Sequence, residues 1–340
     1  MRAHVLWILT VFCSCLTGCL AVPTAMTTTV TTVTTAPPST SAETTTIALT
    51  TILSTVSTTD RRYDYLGETP PTNRVIRFDP TGYVANATWF WHSAPTFSPD
   101  GNEMYWSKYL VSSDRIQIWF TRKVDGLWTA AAKLEVEGIE GDTNCPAFIP
   151  GDDGLYFMNF DGIAFGLYRA TRNESGWGNA AMVDIPIPEG LSLGWSFAIA
   201  GNKNLYVPLS TIGGLGIPQI YVSVFHEGVY ETPVPIENQG TGLYGNGDPA
   251  IAPDESFLIF MSSRAGGLGA HDLYISYRTE DSTFTEPVNL GSQVNTSQED
   301  GRAHVSEDGI YLFYTSFMSG DRGYSPYWIR IDQLNVIRDR

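Results

Sequence analysis

The chain has 340 residues, a formal net charge of −16, 43% hydrophobic and 12% aromatic residues, and four cysteines. The acidic balance and the lack of a basic stripe exclude a nucleic-acid surface, because nothing is present to neutralise phosphates. A disulfide framework is excluded as well, since Cys13, Cys15 and Cys19 crowd the N-terminus and Cys145 stands alone.

The first element is a targeting segment over residues 1–18. Arg2 precedes an apolar run from Val5 to Leu16, which reads as a secretory signal and is too short for a permanent membrane span. It ends Leu16-Thr17-Gly18-Cys19, which resembles the bacterial lipoprotein box, where small residues fit the signal peptidase and the Cys thiol is acylated. The alternative is an ordinary signal cut near Ala21 that discards Cys19. Acylation of Cys19 would anchor the chain to a membrane. Leu20 in the next position resembles the pattern of lipoproteins forwarded to the outer membrane. Loss of Arg2 with the signal leaves the mature chain one unit more negative.

Residues 19–62 form the next element. Thr24 to Thr59 holds 17 Thr and four Ser with a single charge at Glu43 and no aromatic residue. Such a tract cannot bury enough surface to offset ordering entropy and reads as an exposed stalk. Its reach lies between roughly 35 Å as a coil and roughly 120 Å fully extended.

Residues 63–340 carry an internal repeat. The triplets Met104-Tyr105-Trp106, Leu155-Tyr156-Phe157, Leu205-Tyr206-Val207, Leu258-Ile259-Phe260 and Leu312-Phe313-Tyr314 start 51, 50, 53 and 54 residues apart. A period near that of a four-stranded blade predicts an all-β fold, a five-bladed β-propeller. Each unit has an inner strand, a turn such as Ser98-Pro99-Asp100-Gly101, and the triplet strand. A third strand carries a pair such as Ile118-Trp119 or Tyr327-Trp328, and a fourth opens on an aromatic, as in Trp128 to Leu134. The turn degenerates to Ala200-Gly201-Asn202 in the third unit. The fifth unit runs out of chain before a fourth strand. An unpaired edge would leave free backbone donors and acceptors, so the run Asn73 to Phe78 is expected to complete that blade. Six blades are the alternative, but Tyr63 to Trp91 is too short for a further unit.

The stretch from Asn246 to Leu312 carries Asp248-Pro249, Ala252-Pro253-Asp254, Ser262-Ser263-Arg264-Ala265-Gly266-Gly267, Asp272-Leu273-Tyr274-Ile275-Ser276 and Glu286-Pro287-Val288-Asn289-Leu290-Gly291. It resembles the WD40-like PD40 repeat of TolB-type propellers in bacterial envelope lipoproteins. The resemblance covers residues 63 to 334 and is weakest in the third unit. It implies an envelope propeller that binds proteins or peptides or acts as a scaffold, and it implies no catalytic residues.

Candidate site residues follow from aligning the units on their triplets. Trp91, His92, Asp142, Asn144, Trp195, Asn246, Asp248, Glu299, Asp300 and Arg302 fall at the mouths of the inner strands. The loops joining second and third strands add Lys108, Tyr109, Arg264, His271, Asp272, Arg322 and Tyr324. Carboxylates, indoles and arginines around one funnel suit a peptide terminus or a carbohydrate. The plainer explanation is a wet channel that keeps alternate residues polar. Trp91 and Trp195 fall outside the repeating aromatic positions, which are core, and are the better candidates for ligand contact.

Other chemistry is weaker. The acidic turns lack the spacing of a sialidase Asp box, so Asp100, Asp254 and Asp308 read as turn residues. A glycan-cleaving propeller would need two carboxylates across the scissile bond, for which Asp142, Asp248, Glu299 and Asp300 are available without any supporting motif. His92, His226, His271 and His304 have no metal-ligand spacing, and no Asp-rich loop argues for calcium. Cys145 reads as a small buried hydrophobe. The sequons at Asn86, Asn173 and Asn295 are expected by chance in a chain so rich in Thr and Ser. The expected function is a monomeric, membrane-anchored binding or scaffold module without cofactor. It would recognise a protein, peptide or cell-wall glycan through the funnel face, with a glycan-cleaving enzyme as the alternative.

Overall fold

The structure, a computed structural model, describes residues 63–80, 83, 88–174, 176–211, 217–240, 244–317 and 323–338. The signal, Cys19, the Thr-rich stalk, Asn86 and Arg322 lie outside the described residues.

Five antiparallel sheets follow one another along the chain. Blade one runs from an inner strand in two pieces, Trp89–Trp91 and Thr96–Phe97, through Glu103–Leu110 and Arg115–Val124 to short outer pairs at Leu127–Trp128 and Ala132–Lys133. Blade two is Asp142–Ala147, Leu155–Phe160, Phe165–Asn173 and Gly176–Met182. Blade three again splits its inner strand, into Leu191–Leu193 and Ala198–Ile199, and continues through Leu205–Thr211, Gln219–Ser223 and Val234–Pro235. Blade four is Asn246–Ile251, Phe257–Ser262, Asp272–Tyr277 and Val288–Asn289. Blade five supplies Asp300–Val305, Tyr311–Ser316 and Ser325–Arg330, and its fourth strand is Ile76–Arg77, paired Ile76 to Trp328 and Arg77 to Tyr327. The closing strand is shorter than the six residues expected, because Asn73, Arg74 and Val75 do not pair and Phe78 keeps only one bond. Its backbone nitrogen still donates to Pro326 O at 2.9 Å while its ring turns into the core.

The triplet residues are buried throughout, because both faces of a second strand lie against a neighbouring blade. Five apolar clusters fill the five seams, one between each pair of adjacent blades. The seam between blades five and one is built of aromatic rings, with Tyr65 at 5.3 Å from Phe97, 5.1 Å from Trp328 and 6.0 Å from Phe313. This closes the circle through side chains as well as through the ladder.

All five turns between inner and second strands close with the same backbone hydrogen bond, although blade two has its positive φ one position earlier, at Gly151 (+81°), than the other four. The nitrogens of Gly101, Asp152, Lys203, Glu255 and Gly309 donate to the carbonyls of Ser98, Ile149, Ala200, Ala252 and Ser306, at 2.7 to 3.0 Å. The degenerate turn of blade three is preserved because Lys203 takes φ +72°, as Gly101 does at +71° in blade one. Acidic side chains beside these turns hold the seams together. Glu103 takes Tyr105 Oη at 2.7 Å and the Arg172 guanidinium, and Asp152 takes Arg169 and, at 3.1 Å, Lys203 Nζ. Glu255 takes Tyr206 Oη at 2.6 Å, Asn202 Nδ2 at 2.9 Å, Asn204 Nδ2 at 3.1 Å and Arg278 at 2.8 Å.

Candidate functional site

The strand order gives the ring two distinct faces. One carries the mouths of the inner strands and the loops joining second to third strands, here the loop face. The other carries the five hairpin turns and is the turn face.

Every inner strand is interrupted midway. In blades two, four and five the register shifts between Asn144 and Ala147, Gly247 and Ala250, and Gly301 and His304. Cys145, Asp248 and Arg302 occupy the same place in these bulges, with φ of +50°, +46° and +51°. Backbone in this region costs on the order of 1–3 kcal/mol at a non-glycine residue and persists only where neighbours enforce it. Here the neighbours are the adjacent blades. Arg302 N donates to Asp248 Oδ2 at 3.2 Å, Ala94 N to Arg302 O at 3.4 Å, Cys145 N to Ser107 Oγ at 3.1 Å, and Asn144 Nδ2 to Trp195 O at 3.4 Å. The bulges thus form a belt of bonds around the axis.

The belt decides where the expected site residues lie. His92, Asn144, Trp195, Asp248, His271, Glu299 and Arg302 gather on the axis towards the loop face. His92 Nδ1 lies 3.3 Å from Asn144 Oδ1. Burial, with Arg302 adding, pushes the His92 pKa down to about 3, so the ring is neutral at pH 7. Burial works against the Arg302 guanidinium, but Tyr324, Glu299 and Asp248 more than offset it and hold its pKa above the ordinary value. The guanidinium lies 4.0 Å from the Tyr324 ring centre and 3.6 Å from Glu299 Oε1, and so turns to the loop face. Burial also lowers the His271 pKa, with Glu299 and Asp248 opposing. Burial pushes the Cys145 thiol up, and its Sγ lies 3.7 Å from Trp195 O.

Other expected site residues belong to seams or core. Trp91 is 1% exposed and packs against Trp106 at 5.4 Å, so its indole meets no solvent. Asp142 binds the Arg115 side chain and, at 3.3 Å, Ile116 N, which fixes blade two to blade one. Asn246 is buried, with Nδ2 donating to Gln219 Oε1 at 3.0 Å and to Gln239 O at 3.1 Å. Arg264 donates to Gln239 O at 3.1 Å and Asn246 Oδ1 at 3.2 Å and covers the Tyr274 ring at 4.6 Å. Asp300 is fully buried, and its Oδ2 accepts from Thr296 N at 2.6 Å and Thr296 Oγ1 at 3.0 Å. Burial raises its pKa despite these donors.

Lys108 is the unexpected member of the loop set. Its ammonium sits 4.0 Å from both the Trp89 and Trp119 ring centres in the seam of blades five and one. Loss of water lowers its pKa from 10.5 to about 8, while the indole faces attract the charged form. A lysine whose folded pKa lies below its unfolded one opposes folding while charged. Folding stability relative to a Lys108→Met variant is therefore expected to rise between pH 8 and 10.5, read as the difference between their denaturant midpoints across that range.

The sequence reading missed one feature of the loop face. Among the described residues, the loop between second and third strands in each blade exposes a large apolar side chain: Val111, Ile163, Ile217, Leu268 and Phe317, from 37% exposed at Phe317 to 90% at Ile163. Inside this crown stand two aromatic groups, Phe90, Tyr109 and Tyr324 on one side of the axis and Phe160, Phe165 and Trp195 on the other. Phe90 lies 4.7 Å from Tyr109, and Phe165 lies 4.5 Å from Trp195. Aligning the loops on the triplets would have revealed at least one apolar residue in each. Among the described residues no group of three or more His, Cys, Asp or Glu side chains could hold a metal ion.

No protein-family model matches the chain, and no curated protein matches it. Solved structures do. A puromycin-hydrolyzing peptidase from Mycobacterium tuberculosis is 13% identical, covering 68% of this chain and 35% of its own, with a TM-score of 0.41. TolB from Acinetobacter baumannii is 14% identical, covering 71% of this chain and 54% of its own, with a TM-score of 0.41. An alpha-L-arabinofuranosidase from Lactobacillus brevis is 14% identical, covering 70% of this chain and 90% of its own, with a TM-score of 0.44. The chain thus spans well under two thirds of the first two proteins, and the likeness is one of fold alone.

Proposed function

We propose that the chain is a membrane-anchored propeller of the bacterial envelope that binds a protein partner through its loop face. The observation that carries this reading is the crown of five apolar tips, one from each blade. Side chains that protrude singly around a ring, with half-buried aromatics inside it, have the make-up of an interface core that lacks its partner. The net charge of −16 favours a basic partner over an anionic lipid surface. The anchor at Cys19, with the Thr-rich stretch as tether, belongs to the same proposal and rests on the sequence pattern alone.

A glycan-cleaving reading needs two carboxylates facing each other across an open cleft. Asp142 is engaged with Arg115, Asp300 is buried under Thr296, Asp248 accepts from Arg302 N and Glu299 pairs with the Arg302 guanidinium, so all four candidates are engaged, which favours binding over hydrolysis.

A photo-crosslinking residue placed at 163 or at 317 in the full chain is expected to capture the same protein. The same residue at 127, where Leu127 is exposed to a degree between Ile163 and Phe317 but lies in an outer hairpin away from the crown, is expected to capture none. Equal capture from all three positions, or glycan turnover lost in Asp248→Asn, would overturn the proposal.

A further inference from the structure

The chain has four lysines, and three of them meet carboxylates: Lys123 at Asp64, Lys133 at Glu135 Oε1 3.0 Å away, and Lys203 at Asp152 Oδ2 3.1 Å away. Lys108 differs. Among the described residues it has neither an ion pair nor a hydrogen-bond acceptor, and its ammonium lies between the Trp89 and Trp119 rings, 4.0 Å from each centre, with the Trp106 ring at 5.3 Å.

The strand pairing accounts for this position. Lys108 stands between Trp91 and Gln117 in the ladder of blade one, and residues directly opposite one another share a face of the sheet. The side chain therefore points with Trp106 and Trp119 into the aromatic seam beside blade five, near the loop-face end of the strand Glu103–Leu110. Only 6% of the residue is exposed. That open part includes the head group, because Nζ lacks an acceptor and yet is not one of the polar atoms closed off from solvent.

An amine in such surroundings gives up its proton readily. Loss of water disfavours the charge, no carboxylate holds it, and the pKa falls from 10.5 to about 8. Near pH 7 the free amine is then about two orders of magnitude more abundant than on a lysine of ordinary pKa. A desolvated lysine of this kind is a nucleophile towards carbonyl carbon. The walls select what it meets. The three indole rings are flat and largely apolar, and no second charge acts on Nζ that would help to hold a carboxylate or a phosphate.

We infer that Lys108 is a site for the reversible covalent capture of a small, uncharged aldehyde. The lone pair of the neutral Nζ adds to the carbonyl carbon, the C=O π pair passes to the oxygen, and one N–H proton moves to that oxygen to give a carbinolamine. Departure of the hydroxyl with the second N–H proton as water leaves a C=N bond, and addition of water reverses the sequence. Neither an oxidant nor a reductant takes part. The neutral imine removes a charge that burial disfavours and lays the new carbon against the indole faces. The site does not depend on the protein-binding reading.

The test treats the full chain with acetaldehyde and cyanoborohydride, which reduces the imine to a stable ethylamine, and follows each lysine by peptide mass spectrometry. Near pH 7, Lys108 is expected to react about tenfold or more faster than Lys123, Lys133 or Lys203, the part of its gain in free amine that remains after restricted access. Glyoxylate, an aldehyde that carries a carboxylate, is expected to lose this preference. Gln117→Glu sets a carboxylate directly across the ladder from Lys108 and is expected to abolish the preference as well. Unchanged rates at the other three lysines distinguish that result from unfolding. Equal rates at all four lysines, Lys108 reacting last, an equal preference with glyoxylate, or an unaltered Lys108 rate in Gln117→Glu would overturn the proposal and leave Lys108 as a packing residue of the seam.

Discussion

Replacing Phe78 with alanine is expected to lower the unfolding free energy by about 3–5 kcal/mol, the usual cost of emptying a phenylalanine site in a packed core. Phe78 is fully buried, at 5.4 Å from Phe313, 5.3 Å from Trp328 and 6.4 Å from Phe97. It is the ring that the N-terminal closing strand inserts between the first and last blades, so the cavity would open where the circle depends on residues far apart in the chain. Leu127→Ala, at a residue 76% exposed, should change stability by no more than about 0.5 kcal/mol. Chemical denaturation of the two variants checks the contrast. Amide exchange adds a positional readout, because Trp328, paired with Ile76, should lose protection in Phe78→Ala before the triplet of blade three does. A uniform loss of protection in all blades would show that the seam of blades five and one is not distinct.

The second large effect is expected at Glu255. Its carboxylate joins Tyr206, Asn202 and Asn204 of blade three to Arg278 of its own blade, with the side chain 8% exposed. Glu255→Ala should cost about 3 kcal/mol at pH 7, since removing one member of a buried ion pair strands the others. The residue sits at φ +60°, and alanine meets the same backbone penalty as glutamate, so the comparison isolates the side chain. Burial alone would raise the pKa, but Tyr206, Asn204, Arg278 and Asn202 outweigh it, and the folded-state value is lowered. A lowered carboxylate pKa gives stability that is present above the unfolded value of about 4.3 and is lost as pH falls through the folded one. The gap between wild type and variant, measured by urea unfolding, should therefore be widest at neutral pH and narrow below pH about 4. A gap that stays constant on acidification would mean that packing rather than charge supplies the effect.

Much of the architecture was legible in the sequence. The triplets mark second strands because a strand pressed between two blades must be apolar on both faces, and all five behave so. The closing strand could be inferred because blade five had no other source of a fourth strand. Even the degenerate turn of blade three kept its place, since its geometry needs only one residue at positive φ and Lys203 supplies it.

The candidate site was less legible, and the reason is the bulge. Counting alternate residues along an inner strand assumes a period of two, and one inserted residue reverses which side chains face the axis. Trp91, expected at a ligand, lies in the core, while Cys145, read as a buried hydrophobe, reaches the axis beside Asp248 and Arg302, which were expected there, all three through backbone that non-glycine residues seldom adopt. Nothing in the local residue types announces such a conformation, because it is imposed by bonds from neighbouring blades.

The brevity of the closing strand has a mechanical consequence. Only Ile76 and Arg77 join the ladder of blade five, with Tyr65 and Phe78 wedged beside them, and Tyr63, the first described residue, packs in the same cluster. Tension applied from the N-terminal side would reach these few residues before any other part of the ring. The other four seams are continuous in the chain and would still be intact when this one parts, so a pull from that end would open the circle at a single predetermined joint.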